Sequence, residues 1–336
     1  MANPTLIEVT RGPLVESWHR GAIAIAAPSG ALALKLGDVD SPVYPRSAVK
    51  SLQAIPLIES GAADRYGFGP AEIALACGSH VGSEHHTALA ATMLERAGLG
   101  EDALGCGAHP PLSAAIARAL SESHHAPTQL HNNCSGKHAG MLATAVHLGE
   151  PIGGYWQPDH PVQQRVHDVL SDVSGVALGP ETQGIDGCSV PNWAMPLKVL
   201  AAMFARLVTG EGLAPERAEA VRRILDACWA NPDLVAGKGR ADTVVMRTLP
   251  GQIFMKTGAE GVYCGAFPEF GLGFALKIDD GAKRATAGAT MALIERFLPA
   301  ARGLMPLSAI KTWRGAEVGT IRSSSQLEDA LAGLKI

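Results

Sequence analysis

The sequence predicts a mixed α/β (α+β) protein in which one antiparallel sheet is built from both ends of the chain and the middle is largely helical. Short segments with the alternating pattern of strands lie near both ends, at residues 14–36 and 251–277. Between them, from about residue 70 to 230, apolar residues recur at helical spacing. Strands at both ends with helices between them favour a single shared sheet.

Turn-forming residues delimit the predicted strands. The N-terminal segment is expected to be a meander of hairpins, broken at Arg20-Gly21 and again at Pro28-Ser29-Gly30. Glycine- and aspartate-rich turns separate the C-terminal strands in the same way. The C-terminal strands are predicted at 251–257, 261–267 and 271–277, with a helix after them at 283–297.

The spacing of apolar residues in the middle of the chain predicts helices separated by polar loops. The run that ends at Ala76 is apolar and strand-like, and a glycine-rich turn after it opens a helix. The predicted helices lie at 86–97, 112–121, 137–148, 163–173, 194–208 and 215–229.

A single catalytic unit is expected over residues 1–336. It would take its sheet from about 5–45 and 250–300 and its helices from about 46–249. The sequence has no repeat, no low-complexity tract and no linker rich enough in Pro, Gly or Ser to separate independent domains.

Charge and composition exclude several function classes. The 336 residues carry 28 Lys and Arg against 32 Asp and Glu, for a net charge of -4, and no basic block suggests a nucleic acid or an anionic membrane. The start of the chain lacks a charged segment followed by an apolar run, and no stretch of eighteen apolar residues follows. A cytoplasmic protein is expected, without nucleic-acid or membrane partners. The six cysteines form no C-x-x-C pair, so reduced thiols are expected.

Ser47 and Lys50 are the first candidate catalytic pair. Residues three apart lie on one face of a helix, so the amine can reach the hydroxyl and act as its base. About 200 residues later, Lys256-Thr257-Gly258 adds a second lysine at the end of a predicted strand beside the N-terminal meander. An S-x-x-K helix start with a K-T-G strand is used by penicillin-recognising serine enzymes and their relatives. The alternative is that Ser47 caps a helix and Lys50 is solvated.

Three further segments concentrate polar side chains at predicted turns and helix starts. Their spacing places Cys134, Lys137 and His138 in the first turn of an apolar helix, and Asp186 beside Cys188 in a glycine-rich turn. The segments are 76–86, 131–140 and 184–191.

Five ordered motifs, spread over nearly the whole chain, carry a family resemblance. Together they resemble the rhizobial-type (class 3) L-asparaginases of the L-asparaginase II family, which are related in fold to serine β-lactamases and glutaminases. The motifs lie at 45–54, 77–80, 131–138, 184–188 and 256–261.

The resemblance implies hydrolysis of L-asparagine to L-aspartate and ammonia, in a β-lactamase-like fold, by a homodimer. It implies two Ser-Lys pairs, which map onto Ser47 with Lys50 and onto Ser79 with Lys256. It also implies one zinc ion per subunit, and every mapped position holds the required residue type. The implied zinc ligands are Cys134, Lys137 and Cys188.

The chemistry of an amide agrees with these roles. Ser47 must lose its proton as it attacks the carbonyl, and a lysine that is neutral at working pH can accept it. The Ser79 and Lys256 pair could pass a proton to the departing amine and orient the water that releases the acyl-enzyme. The substrate ammonium and carboxylate need partners, for which Asp186 and Arg46 are candidates. His138 and Thr257 could line the same pocket. Alternatively, Asp186 is a turn residue bonded to its own backbone.

Other functions remain open at this point. A glutaminase or a β-lactam-reactive enzyme could share the S-x-x-K and K-T-G motifs, although the S-D-N element of the β-lactam class is missing. A non-catalytic amino-acid-binding relic is the third candidate, but it would not require both Ser-Lys pairs.

Overall fold

The computed structural model describes residues 2–306 and 309–335. The strands are β1 (Thr5–Arg11), β2 (Leu14–Ala26), β3 (Leu32–Leu36), β4 (Pro42–Val43), β5 (Gln183–Ile185), β6 (Pro191–Trp193), β7 (Met195–Pro196), β8 (Phe254–Thr257), β9 (Val262–Phe267), β10 (Leu272–Ile278), β11 (Ala309–Lys311) and β12 (Glu317–Ser323). The α-helices are α1 (Lys50–Gln53), α2 (Ile55–Glu59), α3 (Ala62–Arg65), α4 (Pro70–Ala76), α5 (Glu84–Arg96), α6 (Ala114–Glu122), α7 (Ser135–His147), α8 (Pro161–Ser174), α9 (Leu197–Thr209), α10 (Pro215–Ala230), α11 (Pro232–Val235), α12 (Ala241–Thr248), α13 (Lys283–Phe297) and α14 (Ser325–Ala332).

The chain divides into two compact units. The sheet unit contains the residues up to Ala48, the segment Met195–Thr209 and the residues from Gln252 onward. The helical unit contains Val49–Ala194 and Gly210–Gly251. The single catalytic unit expected from the sequence stays a prediction.

Strands from both ends of the chain form one sheet in the sheet unit. Its order is β11-β12-β1-β2-β10-β9-β8, with β3 paired to β2 beside this path, and the pairings are antiparallel. The long strand β2 pairs with β1 along its first half and with β10 along its second half. The predicted fold class, an antiparallel sheet from both termini with a helical middle, is therefore confirmed.

The predicted break at Arg20-Gly21 is wrong, because β2 runs through it without interruption. Gly21 pairs with Ile278 at this point, and an ideal Cβ on Gly21 would lie 2.3 Å from the carbonyl oxygen of Lys277. The glycine therefore allows a close strand approach rather than a turn. The predicted turn at Pro28-Ser29-Gly30 is confirmed, since it joins β2 to β3.

The C-terminal strands β8, β9 and β10 and the helix α13 lie where the sequence predicts them, within three residues at each end. The ring of Phe267 on β9 stacks on Phe297 of α13, with 4.3 Å between ring centroids. This contact fixes α13 against the sheet by burying two large apolar side chains. The strands β11 and β12 extend the sheet beyond the predicted limit near residue 300.

Helix α9 belongs to the sheet unit, although the sequence assigns it to the helical region at about 46–249. Gly273 on β10 explains the close packing, because an ideal Cβ there would lie 2.1 Å from the carbonyl oxygen of Ala201 on α9. A side chain at Gly273 would force the helix away from the sheet.

The run before Cys77 is helical, so the predicted strand-like segment is wrong. Pro70 occupies the first turn of α4, and the Glu72 carboxylate accepts a hydrogen bond from the Gly69 N–H at 2.9 Å. These are helix-start signals. Most of the surface of α4 is buried, so its sequence lacks the amphipathic period of a half-exposed helix. An apolar run without that period resembles the sequence of a buried strand.

Five helices of the helical unit, α5, α6, α7, α8 and α10, agree with the predicted ones to within about two residues at each end. The short helices α2, α3, α11 and α12 were not predicted. In the described part of the chain, no helix combines the length and the apolar character that crossing a bilayer requires.

Candidate active site

Ser47 lies in a single 3-10 turn, Arg46–Val49, which leads directly into α1. Arg46 has a φ of 52°, in the left-handed region that residues other than glycine seldom adopt. The N–H of Ala48 donates to the carbonyl oxygen of Pro45 at 3.1 Å and closes the turn. Ser47 is half-buried. Backbone strain of this kind accumulates where surrounding structure holds a functional side chain in place.

Lys50 is fully buried, with 0% of its surface exposed. Its amine donates to the carbonyl oxygen of Gly78 and to that of Asn133, the latter at 3.2 Å. The alternative interpretation, in which Lys50 is solvated, is thus wrong. Because Gly78 precedes Ser79 and Asn133 precedes Cys134, one amine connects two of the sequence motifs within the helical unit.

Ser79 lies in the turn between α4 and α5 and is also buried. Its N–H donates to the carbonyl oxygen of Val235 at 2.7 Å, whereas its hydroxyl has no hydrogen-bond partner among the described residues. An ideal Cβ at Gly78 would lie 2.5 Å from the carbonyl oxygen of Leu234, so this turn packs tightly on the backbone before Val235. A rigid backbone therefore holds an unsatisfied hydroxyl, and burying such a group is costly unless a ligand or water pairs with it.

Lys256 and Thr257 end strand β8 at the edge of the sheet. The strands β9 and β10 separate β8 from β2, so the predicted placement beside the N-terminal meander is wrong. Lys256 is fully buried, and its amine donates to the carbonyl oxygen of Thr257 at 2.9 Å. Thr257 is half-buried, and its hydroxyl donates to the carbonyl oxygen of Gly258 at 3.3 Å.

The end of β8 contacts the turn that carries Ser47, within the sheet unit. An ideal Cβ on Gly258 would lie 2.7 Å from the carbonyl oxygen of Pro45. The Gly258 N–H donates to the carbonyl oxygen of Val262 at 2.8 Å. Only a glycine fits this approach, which brings the Lys-Thr-Gly motif next to the Ser47 turn as the sequence motifs require.

Cys134, Lys137 and Cys188 form a buried cluster in the helical unit. Cys134 directly precedes α7, Lys137 lies in the first turn of this helix, and Cys188 lies in the turn between β5 and β6. The Lys137 amine is 3.0 Å from the Cys188 sulfur. The structure thus brings together the three residues that the sequence resemblance assigns to zinc.

A hydrogen bond between the two thiols shifts their pKa values in opposite directions. The hydrogen bond from Cys134 lowers the pKa of Cys188 well below its ordinary value, against the effect of burial and with help from the Lys137 charge. The same bond, together with burial, raises the pKa of Cys134 to about 12. Burial opposes the Lys137 charge, but the two cysteines outweigh it and raise the pKa of Lys137.

The donor set fits a soft divalent metal. Two sulfur atoms and an amine nitrogen can bind zinc once the protons have left. In the described residues, no group of three or more His, Cys, Asp or Glu side chains could hold a metal, so any such site depends on the nitrogen of Lys137.

Asp186 lies in the same turn as Cys188 and is half-buried. Its carboxylate accepts a hydrogen bond from the Gly187 N–H at 2.9 Å, as a turn residue would. Its charge also raises the pKa of Lys137, so the carboxylate acts on the cysteine cluster. The hydrogen bond agrees with the interpretation of Asp186 as a turn residue, and its role in binding a substrate ammonium group stays a prediction.

His138 is fully buried on α7, next to Lys137. Burial and then the Lys137 charge lower the pKa of its ring to about 3. Nδ1 lies 2.6 Å from the hydroxyl of Tyr155, and Nε2 has no hydrogen-bond partner among the described residues.

Sequence reasoning missed Tyr155 and the role of Asn133. Tyr155 follows two glycines in a loop without a recognisable motif, so no signal identifies it. Asn133 contributes its backbone carbonyl, which any residue type could supply. His80 lies within a predicted motif, and its Nε2 forms a 2.9 Å hydrogen bond with Ser135 Oγ. It thereby joins the Ser79 turn to α7.

These features define the class of the protein: a mixed α/β protein with an antiparallel sheet from both ends of the chain and two fully buried lysines, Lys50 and Lys256, within its sequence motifs. The family follows from a direct comparison, in which the L-asparaginase II family model matches residues 7–323. The chain therefore belongs to the L-asparaginase II family, a family of amidohydrolases, and the resemblance inferred from the motifs is confirmed. No curated protein matches the chain significantly.

Solved structures give more distant similarities. Mglu in its native form in the presence of 4.3 M NaCl is 17% identical with a TM-score of 0.43, and the match covers 87% of this chain and 63% of that one. The chain thus spans less than two thirds of the length of Mglu. A β-lactamase (Mb2281c) from Mycobacterium bovis is 11% identical with a TM-score of 0.40, covering 82% and 94% of the two chains. A putative β-lactamase from Bacteroides dorei DSM 17855 is 13% identical with a TM-score of 0.41, covering 81% and 92%.

Proposed function

We propose that this protein is an L-asparaginase that hydrolyses L-asparagine to L-aspartate and ammonia, with Ser47 as nucleophile and Lys50 as its base. The family match over residues 7–323 supports the reaction class. The observation that carries the mechanism is the buried amine of Lys50, three residues after Ser47 and held by the carbonyl oxygens of Gly78 and Asn133.

In the first step, the Ser47 oxygen attacks the side-chain amide carbon and its proton passes to the Lys50 amine, which acts as the base. The tetrahedral intermediate then collapses, the C–N bond breaks, and the amine takes up a proton and leaves as ammonia. Water attacks the resulting ester, and aspartate is released as Ser47 regains its proton. A base buried away from bulk water and close in sequence to the nucleophile suits the first transfer.

Ser79 and Lys256 serve the proton transfers to the leaving amine and from the hydrolytic water. The unsatisfied Ser79 hydroxyl supports this role, because it is free to exchange a hydrogen bond with the reacting groups. Removing general acid-base help of this kind typically costs about 100- to 10,000-fold in rate.

Four residues bind the substrate in this proposal. Arg46 pairs with the α-carboxylate and Asp186 with the ammonium group, since each supplies the opposite charge. His138 and Thr257 contribute hydrogen bonds to the bound amino acid.

Zinc is the cofactor we propose, with Cys134, Lys137 and Cys188 as its ligands. When bound, zinc would supply positive charge and Lewis acidity close to the bound amino acid. The 3.0 Å contact between Lys137 and Cys188 supports this assignment, because it shows two of the three donors already in contact. We also propose a cytoplasmic homodimer as the working form.

The test is ammonia release from L-asparagine and from L-glutamine by zinc-replete wild type, Ser47→Ala and Ser51→Ala. Ser51 is the matched control, because it is a serine four positions further along whose buried hydroxyl has no hydrogen-bond partner among the described residues. We expect asparagine-selective release that disappears in Ser47→Ala alone. A wild type that releases ammonia from neither amide would contradict the function, and full activity in Ser47→Ala would contradict the nucleophile.

A β-lactam-reactive enzyme is distinguished by mass spectrometry after incubation with a penicillin. An asparaginase should form no stable adduct. A stable adduct on Ser47 would instead assign the protein to the β-lactam class.

A further inference from the structure

His138 and Tyr155 form a buried pair in the helical unit whose hydrogen-bond geometry determines one proton position. The Tyr155 oxygen receives a hydrogen bond from the Gly105 N–H at 2.9 Å. It also lies 2.6 Å from Nδ1 of His138, and both side chains are fully buried. Each hydrogen in this chain of contacts must therefore find an acceptor within the protein.

The tautomer of His138 follows from counting donors. The described residues offer the phenolic hydrogen of Tyr155 no acceptor other than His138 Nδ1. A hydrogen on Nδ1 would make both Gly105 and His138 donate to the phenol and leave the phenolic hydrogen unpaired. Nδ1 is therefore an acceptor, and the ring carries its hydrogen on Nε2.

Contacts with three neighbouring residues hold Tyr155 in place, so its hydroxyl can determine the tautomer of His138. Gln163 on α8 donates to its carbonyl oxygen at 2.9 Å, and the ring of Trp156 packs edge-on against it with centroids 5.3 Å apart. Gly105 lies against Trp156 so closely that an ideal Cβ would be 2.3 Å from the indole ring. Burial raises the pKa of Tyr155, so the phenol keeps the hydrogen that it donates.

His138 directly follows Lys137 in the first turns of α7, so its ring belongs to the same buried region of the helical unit as the cysteine cluster. The charges that act on the ring come from Lys137, Cys134, Lys50 and Asp186. Nε2 itself has no partner among the described residues. A buried donor without an acceptor indicates that a ligand supplies one.

We propose that Tyr155 is a positioning residue that fixes His138 as a neutral Nε2–H donor to an acceptor oxygen of the bound amino-acid amide. This inference rests on the proposed function for the identity of the ligand. The assigned tautomer also means that His138 does not bind zinc through Nε2, and that it favours an oxygen over the ammonium group of the substrate.

The tautomer is measured by NMR on protein labelled with ¹⁵N-histidine. Long-range proton–nitrogen spectra distinguish Nε2–H from Nδ1–H rings, and the His138 signals are assigned by their loss in His138→Gln. We expect the Nε2–H form in the wild type and a mixture of tautomers in Tyr155→Phe. Tyr66→Phe is the control, because Tyr66 packs against Phe68 and His147, away from this pair. An Nδ1–H ring in the wild type would overturn the inference.

Kinetics of four variants test the donor itself. Glutamine places an N–H near the position of Nε2, whereas asparagine places one near Nδ1. His138→Gln should therefore retain most of the binding of L-asparagine, while His138→Asn should lose about 10- to 100-fold in kcat/KM, as expected for a hydrogen bond to a charged or strongly polar oxygen. Tyr155→Phe should raise KM, and Tyr66→Phe should not.

Zinc content provides a readout that does not depend on activity. It should be equal in the wild type, His138→Gln and His138→Asn, and a loss of zinc in both variants would contradict the assigned role. Equal kinetic losses in His138→Gln and His138→Asn would also contradict it. The NMR result stands even if no amide is hydrolysed, so failure of the proposed function is distinguishable from failure of this inference.

Discussion

The amine of Lys50 lies 3.2 Å from the backbone carbonyl oxygen of Asn133 and donates a hydrogen bond to it. The same amine also reaches the carbonyl oxygen of Gly78. Lys50 has no exposed surface, and its amine satisfies two backbone carbonyl oxygens. Its replacement should therefore affect both catalysis and stability.

Lys50→Met should lower kcat by about 100- to 10,000-fold, because the base is lost. It should also lower the free energy of unfolding by about 1 to 3 kcal/mol, since two buried carbonyl oxygens lose a donor. Ammonia release and urea unfolding measure the two effects.

Lys198→Met is the control for this substitution. Lys198 is partly exposed and pairs with Asp40 at the surface, where an ion pair contributes about 0 to 1 kcal/mol. Its kcat should stay at the wild-type value. A Lys50→Met variant with wild-type kcat would exclude Lys50 as the base.

Gly258→Ala should disturb the Ser47 turn from within the sheet unit. Its Cβ would lie 2.7 Å from the carbonyl oxygen of Pro45, and backbone cannot yield as a flexible side chain would. We expect about 1 to 3 kcal/mol of destabilisation, typical of overpacking, together with a lower kcat. Gly333→Ala, where the nearest atom is 3.5 Å away, should change neither. Wild-type kinetics in Gly258→Ala would show that the Ser47 turn tolerates displacement.

Stability should fall as pH decreases from about 7 to 5, in part because of His80 and His86. Burial, then the neighbouring His86, Lys50, His109 and His131, lowers the pKa of His80 well below its ordinary value. Burial also lowers the pKa of His86, which faces His85 and Asp233. These histidines bind protons at a higher pH in the unfolded chain than in the folded one. Below pH 6.5, each of them can therefore lower the free energy of unfolding by up to about 1.4 kcal/mol per pH unit.

Urea unfolding at pH 8, 7, 6 and 5 measures this slope, and His86→Gln should make it shallower. The carboxyl groups with lowered pKa values, such as Asp40 at about 2, contribute only below their ordinary value near 3.8. The change in stability between pH 5 and pH 7 is therefore assigned to the histidines. An identical slope in His86→Gln would contradict this prediction.

Cys188→Ala should abolish zinc binding, measured by mass spectrometry of the metal after dialysis. The loss removes one of two sulfur donors and the partner of Lys137. Cys228→Ala, also buried but outside the cluster, should keep its zinc. A folded Cys188→Ala that retains stoichiometric zinc would contradict the ligand set. Residual activity in the zinc-free variant would indicate that the metal tunes affinity rather than carrying out the reaction.

The fold was predictable where local patterns and turn residues agree. The helix α13 begins and ends at the predicted residues, and β8 to β10 differ from prediction by three residues or fewer. The errors at Gly21 and at α4 have different causes. At Gly21, a glycine that allows two strands to approach closely resembles a turn residue. At α4, burial of most of the helix removes the amphipathic period. The strands β11 and β12 were missed altogether.

The sequence by itself determined the order of the motifs, and with it the family and the identity of the candidate serines, lysines and cysteines. Residue types at fixed spacing carry that information. Only the tertiary structure decided that Lys50 is held by two carbonyl oxygens and that Tyr155 faces His138. These contacts join backbone atoms, or side chains from loops without a motif, and the pairing of such groups depends on packing rather than on local sequence.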